Sequence, residues 1–97
     1  MFSKDTPNTL ARLGERLRAE RLARNEPQAR FAARLGISVP TLRRMEQGDP
    51  TAQIGHWLAA LALLDRLADA EAFLAPRPSL FEIAAAPKTR QRARSKP

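Results

Sequence analysis

Apolar residues return along this chain every three or four positions, the spacing that lines one face of an α-helix. From Thr9 to about Asn25 the apolar face is Leu10, Leu13, Leu17 and Leu22, with Ala11 and Ala19 beside them. Arg12, Glu15, Arg16, Arg18, Glu20 and Arg24 cover the other side, which predicts an amphipathic helix capped by Thr9. Gly14 weakens its first half slightly. The helix has to stop before Pro27, because a residue preceding proline avoids the α region. Phe31, Ala32 and Leu35 predict a second helix, from Pro27 or Gln28 to Leu35. Leu42 and Met45 predict a third, from Val39 to Gln47, which breaks at Gly48-Asp49-Pro50. A fourth starts between Thr51 and Gly55 and runs to about Leu63, with Ile54, Trp57, Leu58, Leu61 and Leu64 as a core-facing stripe. Asp65 can cap a fifth, from Arg66 to about Leu74, with Leu67, Ala70, Phe73 and Leu74 on its apolar side; Pro76 and Pro78 end it. The expected fold is all-α: an arm over 1–8, a five-helix body over 9–75, and a C-terminal stretch over 76–97.

The join between the second and third helices is the most specific feature. Gly36 follows the second helix, where a left-handed backbone costs glycine little, and Ser38 is a good N-cap with Val39 and Pro40 in the next turn. Phe31, Leu35, Leu42 and Met45 then form the shared inner face of two helices crossing at roughly 90–120°. Ala32 sits where the backbones approach. This is the pattern of a helix-turn-helix, whose second helix enters a DNA major groove; a tight helical hairpin with no DNA role is the alternative.

Composition narrows the partner. The chain has 97 residues and a formal charge of +7, which points to a polyanion. The excess is uneven, because residues 88–97 hold Lys88, Arg90, Arg92, Arg94 and Lys96 without an acid. Residues 1–87 carry 12 basic and 10 acidic side chains, so the body needs a local basic face. There is no cysteine, hence no thiol chemistry, and no stretch of transmembrane length or signal-peptide type, so a cytoplasmic location is expected. His56 is the single histidine, without converging partners, and is expected to be a surface or helix-start residue. No nucleophile–base set, phosphate-binding loop or metal-ligand spacing appears. An enzyme, a cofactor and a metal are therefore not expected.

From Leu13 to Leu64 the chain resembles the Xre family, the helix-turn-helix domains of Cro and the lambdoid phage repressors. The residues carrying the likeness are LGERLRAERLARNEPQ, FAARLGIS, TLRRMEQGDP and the tryptophan- and leucine-rich helix after them. The resemblance implies a lambda-repressor-like domain that binds double-stranded DNA as a homodimer on palindromic half-sites. Its third helix would read base edges through its outward residues, Val39, Pro40, Thr41, Arg43 and Arg44. Arginine suits bidentate contact with guanine O6 and N7; the alternative for Arg43 and Arg44 is phosphate contact alone. Gln28 would bind a phosphate at a helix N-terminus, with Arg30 and Gln47 as further phosphate contacts. Arg21 and Glu46 match a structural ion pair. Family members often carry Ser-Gln before the second helix; here Glu26-Pro27-Gln28 stands instead, and Glu26 near phosphates is expected to be mildly unfavourable.

The C-terminal layout looks most like HipB-like antitoxins, which implies a HipA-like toxin kinase as partner and autorepression of a toxin-antitoxin operon. A phage-type or general regulator without a toxin, and a protein whose primary activity is neutralising a toxin kinase, are the competing roles. Trp57 is a core anchor or a dimer contact, and the dimer surface would come from the fourth helix, the fifth, or Leu80 and Phe81. The apolar run 79–83, with Leu80, Phe81 and Ile83, has three open placements: docked on its own domain, paired between protomers, or bound to a partner. The basic tail is expected to be disordered. Lys88, Arg90, Arg92 and Arg94 in it would add nonspecific DNA contact, or serve solubility, or meet an acidic partner.

Overall fold

In the computed structural model, which describes residues 4–78, five α-helices follow one another: α1 Asp5–Ala23, α2 Gln28–Leu35, α3 Val39–Glu46, α4 Ile54–Leu63 and α5 Ala68–Glu71. No strand occurs among the described residues. The expectations for the 79–83 run and the basic tail lie outside them.

α1 begins four residues before the expected cap. Pro7 is tolerated because first-turn N–H groups have no helical acceptor in any case, and Asp5 places a carboxylate at the positive end of the helix dipole. Thr9 therefore lies inside α1, where its Oγ1 accepts a hydrogen bond from Arg12 Nη2 at 3.2 Å.

Four of the five helices end in one way. Asn25, Gly36, Gly48 and Asp65 follow α1 to α4 with φ of 54°, 73°, 78° and 60°. In each case the next N–H reaches back five residues: Glu26 to Arg21 O at 3.2 Å, Ile37 to Ala32 O at 3.0 Å, Asp49 to Arg44 O at 2.9 Å, and Arg66 to Leu61 O at 2.7 Å. This Schellman arrangement satisfies carbonyls that a helix end would otherwise leave orphaned. Asp65 is thus the terminator of α4 and not the cap of α5, and α5 is a single turn instead of the nine residues expected.

The buried core is Leu17, Phe31, Ala32, Leu42, Met45, Ala60 and Leu64. Phe31, Leu42 and Met45 are fully enclosed; burying each contributes roughly 1.5–3 kcal/mol. α4 is oriented differently from its apolar count. Ala60 and Leu64 are buried, Trp57 and Leu63 pack at the core's edge, while Ile54 and Leu58 are 60% and 37% exposed. The run IGHWLAALAL is apolar all round, so periodicity cannot choose a face; the small Ala60 settles the matter by letting α4 approach α2. Leu22 also faces solvent.

α1 lies across the C-terminal end of α3. The buried strip of α1 is Gly14, Leu17 and Arg21, three positions at helical spacing. A Cβ on Gly14 would meet the Met45 carbonyl oxygen at 2.8 Å and the Glu46 carbonyl carbon at 2.7 Å, and one on Gly48 would meet Leu10 backbone atoms at 2.7 Å. Both glycines are contact points between backbones, which is why Gly14 stands mid-helix. Glu20 fastens the other end of α1: it accepts from Arg24 Nη1 at 2.7 Å and from Arg66 Nη1 at 2.9 Å, and Arg24 Nη2 reaches Leu64 O at 3.2 Å.

Two expectations can be measured. Helix propensity alone would favour Gly14→Ala by about 1 kcal/mol, but overpacking costs roughly 1–3 kcal/mol and the neighbour here is immovable backbone. Gly14→Ala is expected to lower the thermal midpoint by about 4 °C or more, whereas Gly55→Ala, whose new Cβ meets nothing within 4 Å, is not. The hydrogen bond from Arg24, reinforced by the Arg66 charge, holds the Glu20 carboxyl below its ordinary range. A depressed folded-state pKa means stability fully present above the unfolded value and lost as pH falls from there through the lowered folded-state value. The stability gap between wild type and Glu20→Gln, followed by urea titration, should be full at pH 7, begin to narrow below the ordinary carboxyl value of 4.5 and close only at more acid pH.

Candidate nucleic-acid interface

α3 is anchored from behind and open in front. Its N-cap, Ser38, has an extended backbone, and the Ser38 Oγ accepts the Thr41 N–H at 3.2 Å. Leu42, Met45 and Glu46 are buried, and Pro40, Arg43, Arg44 and Gln47 are exposed. Pro40, Arg43 and Gln47 follow one another at spacings of three and four, so they form a single outward strip. Val39 does not belong to it. As the first residue of α3, Val39 packs against the hydrophobic cluster beside Leu35 and Ile37, and the outward face starts at Pro40. Thr41 is half-buried, and its hydroxyl lies 2.9 Å from Ser38 Oγ, so it shares in the cap.

The back of α3 is held by a buried ion pair. Arg21 Nε donates to Glu46 Oε2 at 2.7 Å and Nη2 donates to Oε1 at 3.1 Å, with side chains only 6% and 3% exposed. Arg21 Nη1 also donates to Glu26 O at 2.9 Å, which ties in the turn between α1 and α2. Gln28 Nε2 donates to Glu46 Oε1 at 3.1 Å. The side chain of Gln28 is therefore engaged with α3; what α2 leaves open at its start are the N–H groups of Gln28, Ala29 and Arg30, which have no acceptor among the described residues. Those amides sit at the positive end of a helix dipole. Glu26 does not oppose an anion there as a free charge, because its buried carboxylate is bound by Arg34 at 2.6 Å with Arg30 at 4.0 Å.

A small cleft borders the other side of the strip. Thr41 and Arg44 face Asp49, Thr51, Gln53 and His56 across it. Asp49 Oδ1 accepts from both Oγ1 and N of Thr51, each at 2.7 Å, and those two bonds hold its carboxyl below the ordinary range. Gln53 caps α4; its carbonyl takes the N–H of His56 and Trp57, while those of Ile54 and Gly55 have no acceptor among the described residues. His56 stands in the first turn of α4 with Nδ1 buried and without a hydrogen-bond partner among the described residues. Sequence reasoning missed this second open helix start. Its signals were present: Asp-Pro-Thr is an Asx-turn sequence, and Gln53-Ile54-Gly55 puts an extended polar residue and a bare backbone beside α3.

The charge distribution suits a polyanion. Among the described residues, neither Arg43 nor Arg44 forms an ion pair, while Glu20, Glu26 and Glu46 are each bound to arginines elsewhere. Among them, too, no group of three or more His, Cys, Asp or Glu could hold a metal ion, and no helix is long and apolar enough to cross a membrane.

Residues 12–74 match the helix-turn-helix domain family, well over half of the chain. The chain belongs to that family. No curated protein and no solved structure matches it. Within the helix-turn-helix, α2 and α3 are the paired helices, the bonded turn Gly36–Ser38 joins them, and α1 and α4 enclose the pair. Trp57 is half-buried, at the junction of the core and an open apolar groove.

Removal of one partner of the buried pair leaves an uncompensated charge, at a cost of about 3–5 kcal/mol, whereas an apolar pair of similar volume is roughly neutral. Arg21→Met should therefore lose several kcal/mol in urea unfolding followed by circular dichroism, and Arg21→Met/Glu46→Leu should recover most of it.

Proposed function

We propose that the protein is a sequence-specific transcription regulator that binds double-stranded DNA as a homodimer, one α3 in the major groove of each half of an inverted repeat. The observation that supports this most is the outward pair Arg43 and Arg44, exposed and without an ion pair among the described residues, on the second helix of a helix-turn-helix. Arg43 and Arg44 are the base-reading residues, each good bidentate contact being worth roughly 1–3 kcal/mol of discrimination. Pro40 and the Thr41 methyl offer apolar contact to thymine. Open amides at the starts of α2 and α4, with Arg30 and Gln47, take phosphates on either side and set the register. A homodimer follows from size, since one such domain covers too little DNA for tight specific binding. Repression by promoter occupancy is the simplest outcome of that mode.

A second reading, an antitoxin that autoregulates a HipBA-like operon by binding a toxin kinase, has one observation in its favour. The fold leaves more apolar surface than DNA binding uses, with Ile54, Leu58 and Phe73 exposed. A toxin-like reading frame beside the gene supports it, and its absence leaves the general regulator.

A gel-shift titration on the gene's own promoter, at fixed salt, tests the first reading. Arg43→Ala/Arg44→Ala should weaken binding at least tenfold, with an unchanged thermal midpoint; retained wild-type affinity overturns the assignment. Arg43→Lys/Arg44→Lys should lose preference for the operator over scrambled DNA, and full retention of that preference would reduce both residues to phosphate contacts.

A further inference from the structure

A groove of about 510 Å³ runs between α1, α4 and α5, walled by Leu13, Ile54, Trp57, Leu58, Leu61 and Phe73. Its apolar lining is left uncovered, with Phe73 62% exposed and Ile54 60%. We infer that this groove is the seat of the chain's own residues 79–86. The inference is independent of the DNA reading.

The chain that leaves the groove supplies the occupant. Phe73 is part of the wall, residues 74–78 are exposed, and Leu80 follows Phe73 by seven positions. Seven extended residues reach at most about 25 Å, enough to turn back over the groove and too short to go far from it. The sequence that arrives is built to lie on an apolar surface. Ser79-Leu80-Phe81-Glu82 has the capping-box sequence pattern, Leu80, Phe81, Ile83 and Ala84 follow at helical spacing, and Pro78 and Pro87 bound the run. A helix of seven residues is not stable alone in water and needs a surface to form on. Charge agrees as well. Arg16 lines the groove and makes no ion pair among the described residues, and Glu82 is the only acid in residues 79–97.

A second copy of the domain fits less well. A symmetric contact would set two concave faces against each other, rims of Arg16, Glu20, Arg66 and Asp69 meeting first and the apolar floor left unfilled.

The chain supplies its own reporters, since Trp57 is its single tryptophan and it has no cysteine. A nitroxide is attached to Ala85→Cys in the full chain, and the Trp57 indole N–H is followed by NMR. The label should broaden that resonance, and Leu80→Ser/Phe81→Ser/Ile83→Ser in the same chain should abolish the broadening and shift Trp57 emission to the red, with helical content lowered by no more than that one short helix. An unbroadened indole resonance overturns the proposal. So does broadening that appears only between nitroxide-labelled and isotope-labelled chains in a mixture, because the segment would then belong to another copy. Trp57 emission identical in wild type and the triple variant overturns it too.

Discussion

The bidentate pair between Arg21 and Glu46 is the constraint around which the helices are arranged. Each group has been taken almost wholly out of water, so each depends on the other and on the bonds that occupy the remaining guanidinium and carboxylate positions. Glu26 O and the Gln28 amide fill two of those positions, and in doing so bring the turn after α1 and the start of α2 to the end of α3. Two planar groups meeting side by side permit little rotation. Together with the backbone contact at Gly14, the pair sets how α1 crosses α3 and hence which way α3 faces.

That arrangement separates the charges. Glu20, Glu26 and Glu46 are drawn behind and beside the paired helices, each with an arginine, and Asp49 is occupied by Thr51. The body has only a small positive excess, 12 basic against 10 acidic side chains over residues 1–87, and Arg43 and Arg44 on the open side of α3 have no ion-pair partner among the described residues. Position, more than the total, gives the face its sign. Glu26 illustrates the point: the sequence suggests a repulsive group near a phosphate, and folding turns the same carboxylate inward onto Arg34.

Features set by local signals were legible before the fold. Gly36, Ser38 and Gly48 bound α2 and α3 as their conformational preferences suggest, and the residues expected on the inner face, Phe31, Leu42 and Met45, are enclosed. What escaped needed the third dimension. Asp65 and Thr9 can each cap a helix, but their neighbours in space gave one a left-handed terminator's role and the other a place inside α1. Apolar periodicity had no means of orienting α4, which is apolar on every side, or of recognising Ala60 as a core residue. The candidate site divides in the same way. That α3 turns Arg43 and Arg44 outward follows from which of its residues are apolar, whereas the bond from Gln28 to Glu46, the inward Val39 and the open start of α4 depend on how separate helices meet.

Gly48 has a consequence for information. Because its left-handed turn lies against the Leu10 backbone, α3 cannot be extended without moving α1, and it stays at eight residues. Eight residues make a rod of about 12 Å, which spans roughly four base steps of about 3.4 Å each. So short a word recurs throughout any genome. The contact between two backbones at one glycine therefore limits how much a single copy of this chain can know about an address, and any address it finds uniquely has to be spelled in more than one place.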